Sequence, residues 1–77
     1  ETDPNPTRGE VDVYVHGEDT EVMMTVFSSK GDLIFSREQL IQSTRKTDLD
    51  LGGVPAGTYL VTLDGPTVRK TFKIVKR

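Results

Sequence analysis

The sequence predicts an all-β fold, an antiparallel β-sandwich of six to seven short strands. Short apolar runs recur roughly every ten residues, each alternating with period two and each closed by turn residues. No stretch holds a sustained 3.6-residue apolar period, and no capping box stands before an apolar run, so helices are not expected. The chain divides into a linker and opening turn over 1–9 and the sandwich proper over 10–77.

The opening "ETDPNPTRG" is turn material. Pro4 and Pro6 fix two backbone angles and push the residues before them toward extended conformations, while Asn5 and Gly9 suit tight backbone. "EVDVYVH" (10–16) alternates Val11, Val13 and Val15 with Asp12, Tyr14 and His16, as a half-buried strand does. After the turn "GEDT", the run "EVMMTVFS" (21–28) sets Val22, Met24 and Val26 against Met23, Thr25 and Phe27. Both faces are fairly apolar, which marks a strand central in its sheet. "SSKGD" (28–32) carries a hairpin signal, with Gly31 at the position that needs φ > 0.

"LIFSREQLIQS" (33–43) contains Arg37-Glu38-Gln39-Leu40, which would suit a helical turn, but its β-rich flanks favour one bulged strand or two short ones. "TRKTDLDL" (44–51) alternates again through Thr47, Leu49 and Leu51. The loop "GGVPAG" (52–57) then launches "TYLVTLD" (58–64), and "GPT" separates it from "VRKTFKIVKR" (68–77). In that last strand Val68, Lys70, Phe72, Ile74 and Lys76 share one face, and Arg69, Thr71, Lys73, Val75 and Arg77 share the other. The expected core is Val11, Val13, Val15, Val22, Met24, Val26, Leu33, Phe35, Leu49, Leu51, Tyr59, Val61, Leu63, Phe72 and Ile74.

At 77 residues the chain is one small domain, of a size that buries about 60% of the surface its unfolded form exposes. It has no cysteine, hence neither a disulfide framework nor a thiolate metal site. No apolar run is long enough for a signal peptide or a membrane span, and the chain reads as a piece of a larger protein or a processed product. Its net charge of −2 hides an asymmetry. Glu1, Asp3, Glu10, Asp12, Glu18, Asp19 and Glu21 face only Arg8 within residues 1–21, whereas Arg69, Lys70, Lys73, Lys76 and Arg77 close the chain without an acid. Two readings follow: the two ends lie side by side in a sheet and neutralise each other, or the basic end is presented to a partner. Charge alone favours the first.

Catalysis finds little support. His16, the single histidine, falls in the alternation of a strand with no nucleophile elbow or triad signature beside it. Asp48 and Asp50 share one strand face and so approach the pattern of a hard-cation site, but no calcium-loop spacing surrounds them. Met23-Met24 is read as core rather than as an adaptable binding surface. The glycines of "GDLIF" and "LGGVPAG" precede no helix that would present its amides to phosphate. Nucleic-acid binding would require aromatics interleaved with bases, and the last strand offers only Phe72. No cofactor, metal or nucleic acid is expected, and the domain itself is not expected to be an enzyme.

Four stretches carry a resemblance: "PNPTRGEVDVYV", "VFSSKGDLIF", "LGGVPAGTYLVTL" and "KTFKIVKR". In that order and at those distances, from Pro4 to Arg77, the chain resembles the type A C-terminal sorting domain of Bacteroidetes type IX secretion cargo proteins. The resemblance implies an immunoglobulin-like sandwich at the end of a cargo protein that passes through the periplasm. It implies reading by an outer-membrane translocon and its shuttle protein, with removal by a surface sortase in many cargos, leaving the cargo on the cell surface or secreted. Pro4, Asn5, Pro6 and Gly9 match the first motif, Gly31 the hairpin glycine, and Gly57 and Tyr59 the Gly-x-Tyr motif. Lys70, Lys73, Lys76 and Arg77 match the basic terminal segment and are the candidates for translocon recognition. Asp3 departs from the aromatic or apolar residue often found before Pro-Asn-Pro, and the processing site is expected upstream. For Gly57 and Tyr59 a structural role, turn and packed ring, is expected ahead of direct recognition.

Two other classes compete. A generic immunoglobulin-like spacer, adhesion or carbohydrate-binding module would share the fold, although a sugar site calls for exposed aromatics and there is no tryptophan. "VPAGTYLVTL" also resembles transthyretin-like carboxypeptidase regulatory domains, which lack the opening motif and the basic end. The attached cargo, unlike this domain, is a natural place for an enzyme such as a protease.

Overall fold

The computed structural model describes residues 6, 7 and 9–77, with side chains from Gly9 onward. Pro4 and Asn5 of the opening motif lie outside the described residues, and so does the side chain of Pro6. Seven strands follow one another: β1 (Pro6–Thr7), β2 (Glu10–Tyr14), β3 (Glu21–Ser28), β4 (Leu33–Leu40), β5 (Lys46–Asp50), β6 (Gly57–Asp64) and β7 (Arg69–Lys76). They form a five-stranded sheet in the order β1-β7-β6-β3-β4 and a two-stranded sheet of β2 and β5. All pairings are antiparallel except the two-residue β1, which runs parallel to the end of β7. The predicted sandwich is present, and the stretch read as a linker contributes a strand to it.

The core lies between the sheets. Val22, Met24 and Val26 of β3 point inward beside Val61 and Leu63 of β6 and Ile74 of β7, and meet Val13, Leu49 and Leu51 from the other side. β3 is central, as its two apolar faces suggest. Thr47 is the one buried polar side chain among the described residues, and its hydroxyl donates to the Leu40 carbonyl at 2.8 Å, so its burial leaves no unmet group.

Four of the expected core positions are corrected. Leu33 is 61% exposed. Val26 pairs with Phe35 but Phe27 pairs with Leu33, so Ile34 is an extra residue in β4. Such a bulge resets the alternation and turns Leu33 to the outer face with Phe27. The single bulged strand predicted for 33–43 is therefore present, but its bulge moves a core candidate outside. Val11, Phe35 and Phe72 are only partly buried. A two-stranded layer cannot cover a five-stranded one, which leaves the inner sides of β4 and β7 half open. Arg37 shields Phe35 there, its guanidinium 5.3 Å from the ring centroid. Met23, expected inside with Met24, is exposed on the outer face. Ile41 and Val68, just beyond the strand ends, are buried although the expected core omits them; alternation sets Val68 on the face of Phe72 and Ile74.

One end of the sandwich is closed by a knot between the 17–19 and 65–68 turns. Asp19 Oδ2 accepts from the amides of Thr67 and Val68, both at 2.7 Å. Thr67 Oγ1 in turn accepts from the amides of Glu18 and Asp19 at 2.8 and 3.1 Å. Arg45, itself in the left-handed region at φ 64°, donates from Nη1 to the Asp19 carbonyl at 2.8 Å. Partial desolvation pushes the Asp19 carboxyl up, but the Thr67 and Val68 amides, the Thr67 side chain and the Arg45 charge outweigh it and hold the group below its ordinary value of 3.8.

A carboxyl held low in the folded state supports folding above its unfolded value and loses that support as pH falls through the folded one. Asp19→Asn is therefore expected to melt below the parent at pH 7, with the gap closing below the ordinary value of 3.8. Thermal melts across pH 7 to 2 read this directly, and a constant gap would exclude the ionised carboxylate as the cause.

Candidate functional site: the end of the sandwich where the motifs meet

At the opposite end the chain organises a loop from Leu51 to Ala56. Asp50 Oδ1 accepts from the Gly52 amide at 2.8 Å, turning the chain as Asx residues do. The Leu51 amide donates to the Gly9 carbonyl at 2.6 Å. A Cβ on Gly9 would sit 3.4 Å from the Gly52 Cα, so the opening motif and the loop pack backbone on backbone. Lys76, last residue of β7, points inward and donates its ammonium to three carbonyls: Leu51 at 2.7 Å, Val54 at 2.6 Å and Gly52 at 3.3 Å. The Tyr59 hydroxyl donates to the Pro55 carbonyl, and its ring is buried where a Cβ on Gly57 would lie 3.8 Å from it. The same loop is thus tied by Gly9 of the opening motif, by Tyr59 and by Lys76 of the basic end, and Gly57, where β6 begins, stands opposite Lys76.

The outer face of the large sheet presents a second feature at this end. Phe27, Leu60 and Lys73 are direct cross-strand neighbours on β3, β6 and β7. With Ser28, Ser29, Gly31, Thr58 and Tyr59 they line an open, mostly apolar hollow of about 440 Å³. The hairpin that walls it is held by Ser28. Its amide donates to the Asp32 carbonyl at 2.8 Å, its carbonyl accepts from Gly31 at 2.9 Å, and its hydroxyl accepts from the Lys30 and Asp32 amides. Gly31, at φ 92°, takes the left-handed position expected of the hairpin glycine.

The basic residues separate by face. Lys70 and Lys76 point inward and are half-buried, whereas Arg69, Lys73 and Arg77 are exposed. Arg69 lies 3.5 Å from Asp64, an exposed pair of little energetic weight. Among the described residues Lys70, Lys73 and Arg77 make no ion pair. The front of the chain does run beside the basic strand, through β1 on the end of β7, but the acids of β2 do not face that strand, because β2 pairs with β5 in the other sheet. Its Asp12 is bridged to Lys46 instead, at 3.7 Å. Sequence reasoning missed Phe27, Thr58 and Leu60 as site residues. The signal was there: both β3 and β6 carry a large apolar side chain on their outward set at the same end.

The two-stranded sheet shows an acidic face, with Glu10 opposite Asp50 and Asp12 opposite Asp48. Among the described residues no group of three or more histidine, cysteine or carboxylate side chains is placed to hold a metal ion. The Asp12 side chain beside it, with partial burial, pushes the Asp48 carboxyl above its ordinary value, only partly offset by Lys46. A raised carboxyl opposes folding while both partners are ionised, and that penalty is relieved as pH falls through the raised folded value toward the ordinary 3.8. Asp48→Asn is therefore expected to melt above the parent at pH 7, the gain fading in acid. A lower melting temperature at pH 7 would show that the carboxylate pair is not repulsive.

Fold and site define a small β-sandwich module with several of its motif residues gathered at one end. Residues 4–77 match the sequence model of the secretion system C-terminal sorting domain. The match spans almost the whole chain, and the chain belongs to that family, the C-terminal sorting domains of type IX secretion. No curated protein and no solved structure matches it. No helix among the described residues is long and apolar enough to cross a membrane.

Proposed function

We propose that this domain carries an attached cargo protein across the outer membrane through the type IX translocon, read there with the help of the shuttle protein and removed by a surface sortase. The domain is a C-terminal secretion sorting signal, and its membership implies interaction with type IX machinery and export to the cell surface or the medium. The observation that carries the finer reading is convergence. Gly9, Tyr59 and Lys76 tie one loop, with Gly57 opposite Lys76, and Gly31 and Lys73 line a hollow at the same end of the sandwich. In this reading the cargo waits in the periplasm with the domain folded, and the exposed Lys73 and Arg77 meet the machinery. Lys70 lies at the half-open inner edge of β7, where a partner strand would also reach it. The domain acts by recognition alone, and any catalysis belongs to the cargo. His16 is exposed just beyond β2, a place for a solvated side chain rather than a base.

The test is a fusion of residues 1–77 behind a periplasmic signal peptide and a fluorescent reporter, in a type IX-competent strain and a translocon-deficient one. Surface or medium fluorescence is expected only in the competent strain. A folded reporter held in the periplasm of both would leave the domain a plain structural module.

A further inference from the structure

We propose that the hollow on the outer face is a docking pocket for the export machinery. Its occupant is an extended segment of that machinery presenting a large apolar side chain beside a carboxylate. This rests on the sorting-signal reading above and adds the contact by which the signal is read.

Three features select this place and this occupant. The core of the sandwich lies on the other side of the sheet, so Phe27, Thr58 and Leu60 are not needed inside it, yet they gather an apolar floor at one spot. The next row across the same face is polar: Ser36, Thr25, Thr62 and Thr71 oppose one another from β4 to β7, with Thr25 and Ser36 hydroxyls 3.0 Å apart. The apolar area is therefore bounded on that side, and the exposed Leu33 opposite Phe27 extends it only toward β4, with Met23 standing apart beyond the polar row. This is closer to the form of an anchor pocket than to that of a broad association face. Its volume of about 440 Å³ accepts a side chain of phenylalanine or leucine size.

The third feature is charge. Lys73 stands directly opposite Leu60 on the rim, exposed and without an ion pair among the described residues. Arg77, one residue beyond β7, is exposed as well. A carboxylate next to the anchor would meet Lys73 at the edge of an apolar floor, where removal of water strengthens the pair. An anchor flanked by a base would be repelled at the same place, which gives the pocket selectivity.

The experiment uses the reporter fusion of residues 1–77 with Leu60→Asp, Leu60→Met, Lys73→Glu and Lys73→Arg, each scored for export and for melting temperature of the purified domain. Leu60 is 36% exposed and points away from the core, so all four are expected to melt within about 3 °C of the parent. Export is expected to fall about tenfold or more for Leu60→Asp and Lys73→Glu, the loss of a docking anchor, and to be kept by Leu60→Met and Lys73→Arg. Unchanged export of both disruptive variants overturns the pocket while leaving the sorting signal intact. Failure of the parent fusion removes both proposals. Sedimentation of the purified domain adds a further check: a dimer that Leu60→Asp dissociates would make a second copy the occupant and overturn this assignment.

Discussion

Replacing Lys76 by methionine is expected to lower the unfolding free energy by about 2 kcal/mol, although the residue sits one place from the chain's end. Methionine keeps most of the apolar stem but removes the ammonium that three carbonyls of the 51–54 loop share. Hydrogen bonds to a charged donor contribute more than neutral ones, and here one donor group holds a whole loop. For a domain of this length the melting temperature should fall by roughly 8–16 °C. Lys73→Met, three residues earlier and exposed, should change the free energy by less than about 0.5 kcal/mol. Urea unfolding of the two variants decides the matter, since equal losses would rule out the loop as the cause.

This result bears on function. Lys76 is one of the candidates for translocon recognition, yet it also holds the loop to which Gly9 and Tyr59 attach. A Lys76 variant that fails in export therefore reports on folding and recognition together. Lys73 reports on recognition alone, because nothing in the fold depends on its ammonium.

Gly17→Ala is expected to cost about 3 kcal/mol, from backbone strain and overpacking together. Gly17 has φ 111°, and a Cβ there would lie 2.8 Å from the Thr67 carbonyl oxygen and 2.9 Å from Val68 Cγ2. The neighbours cannot move aside cheaply, because the amides of Thr67 and Val68 are fixed by Asp19. A domain of this size has roughly 4–12 kcal/mol of stability in all, so this one methyl group removes a large share. Gly53→Ala is the control: a Cβ there meets nothing within 4 Å, and its effect should stay within about 0.5 kcal/mol. Denaturant midpoints measure both. A midpoint for Gly17→Ala equal to that of Gly53→Ala would mean that the two turns are not packed as described. The lesion is at the far end from the motifs, so at temperatures where the variant remains folded its export should match the parent.

Much of the architecture was legible in the residues themselves. Strict alternation in 10–16, 21–28, 58–64 and 68–77 reports a half-buried sheet, because side chains on a strand face opposite sides in turn and only one side meets the core. Gly31 announced its hairpin because a left-handed backbone position favours glycine. The four motifs were also readable, as a resemblance in order and spacing. What alternation could not report is where it breaks and how many strands lie above it. The extra residue Ile34 sends Leu33 to solvent, and Phe35 and Phe72 stay half-exposed because only β2 and β5 cover the larger sheet.

The divided roles of the terminal bases belong to the tertiary structure. Lys73 and Lys76 look alike in "VRKTFKIVKR", and their odd spacing places them on opposite faces. Only the position of the 51–54 loop shows that one face offers carbonyls and the other open solvent. The same holds for Gly9, Gly57, Tyr59 and Lys76, which lie up to 67 positions apart (76 minus 9). Sequence by itself determined the all-β class, the motif set and the family to which the chain belongs. Tertiary structure decided that Gly9, Gly57, Tyr59 and Lys76 gather at one end of the sandwich while Lys70 lies toward the other, because contacts between residues far apart in the chain depend on strand order and register, which local periodicity does not encode.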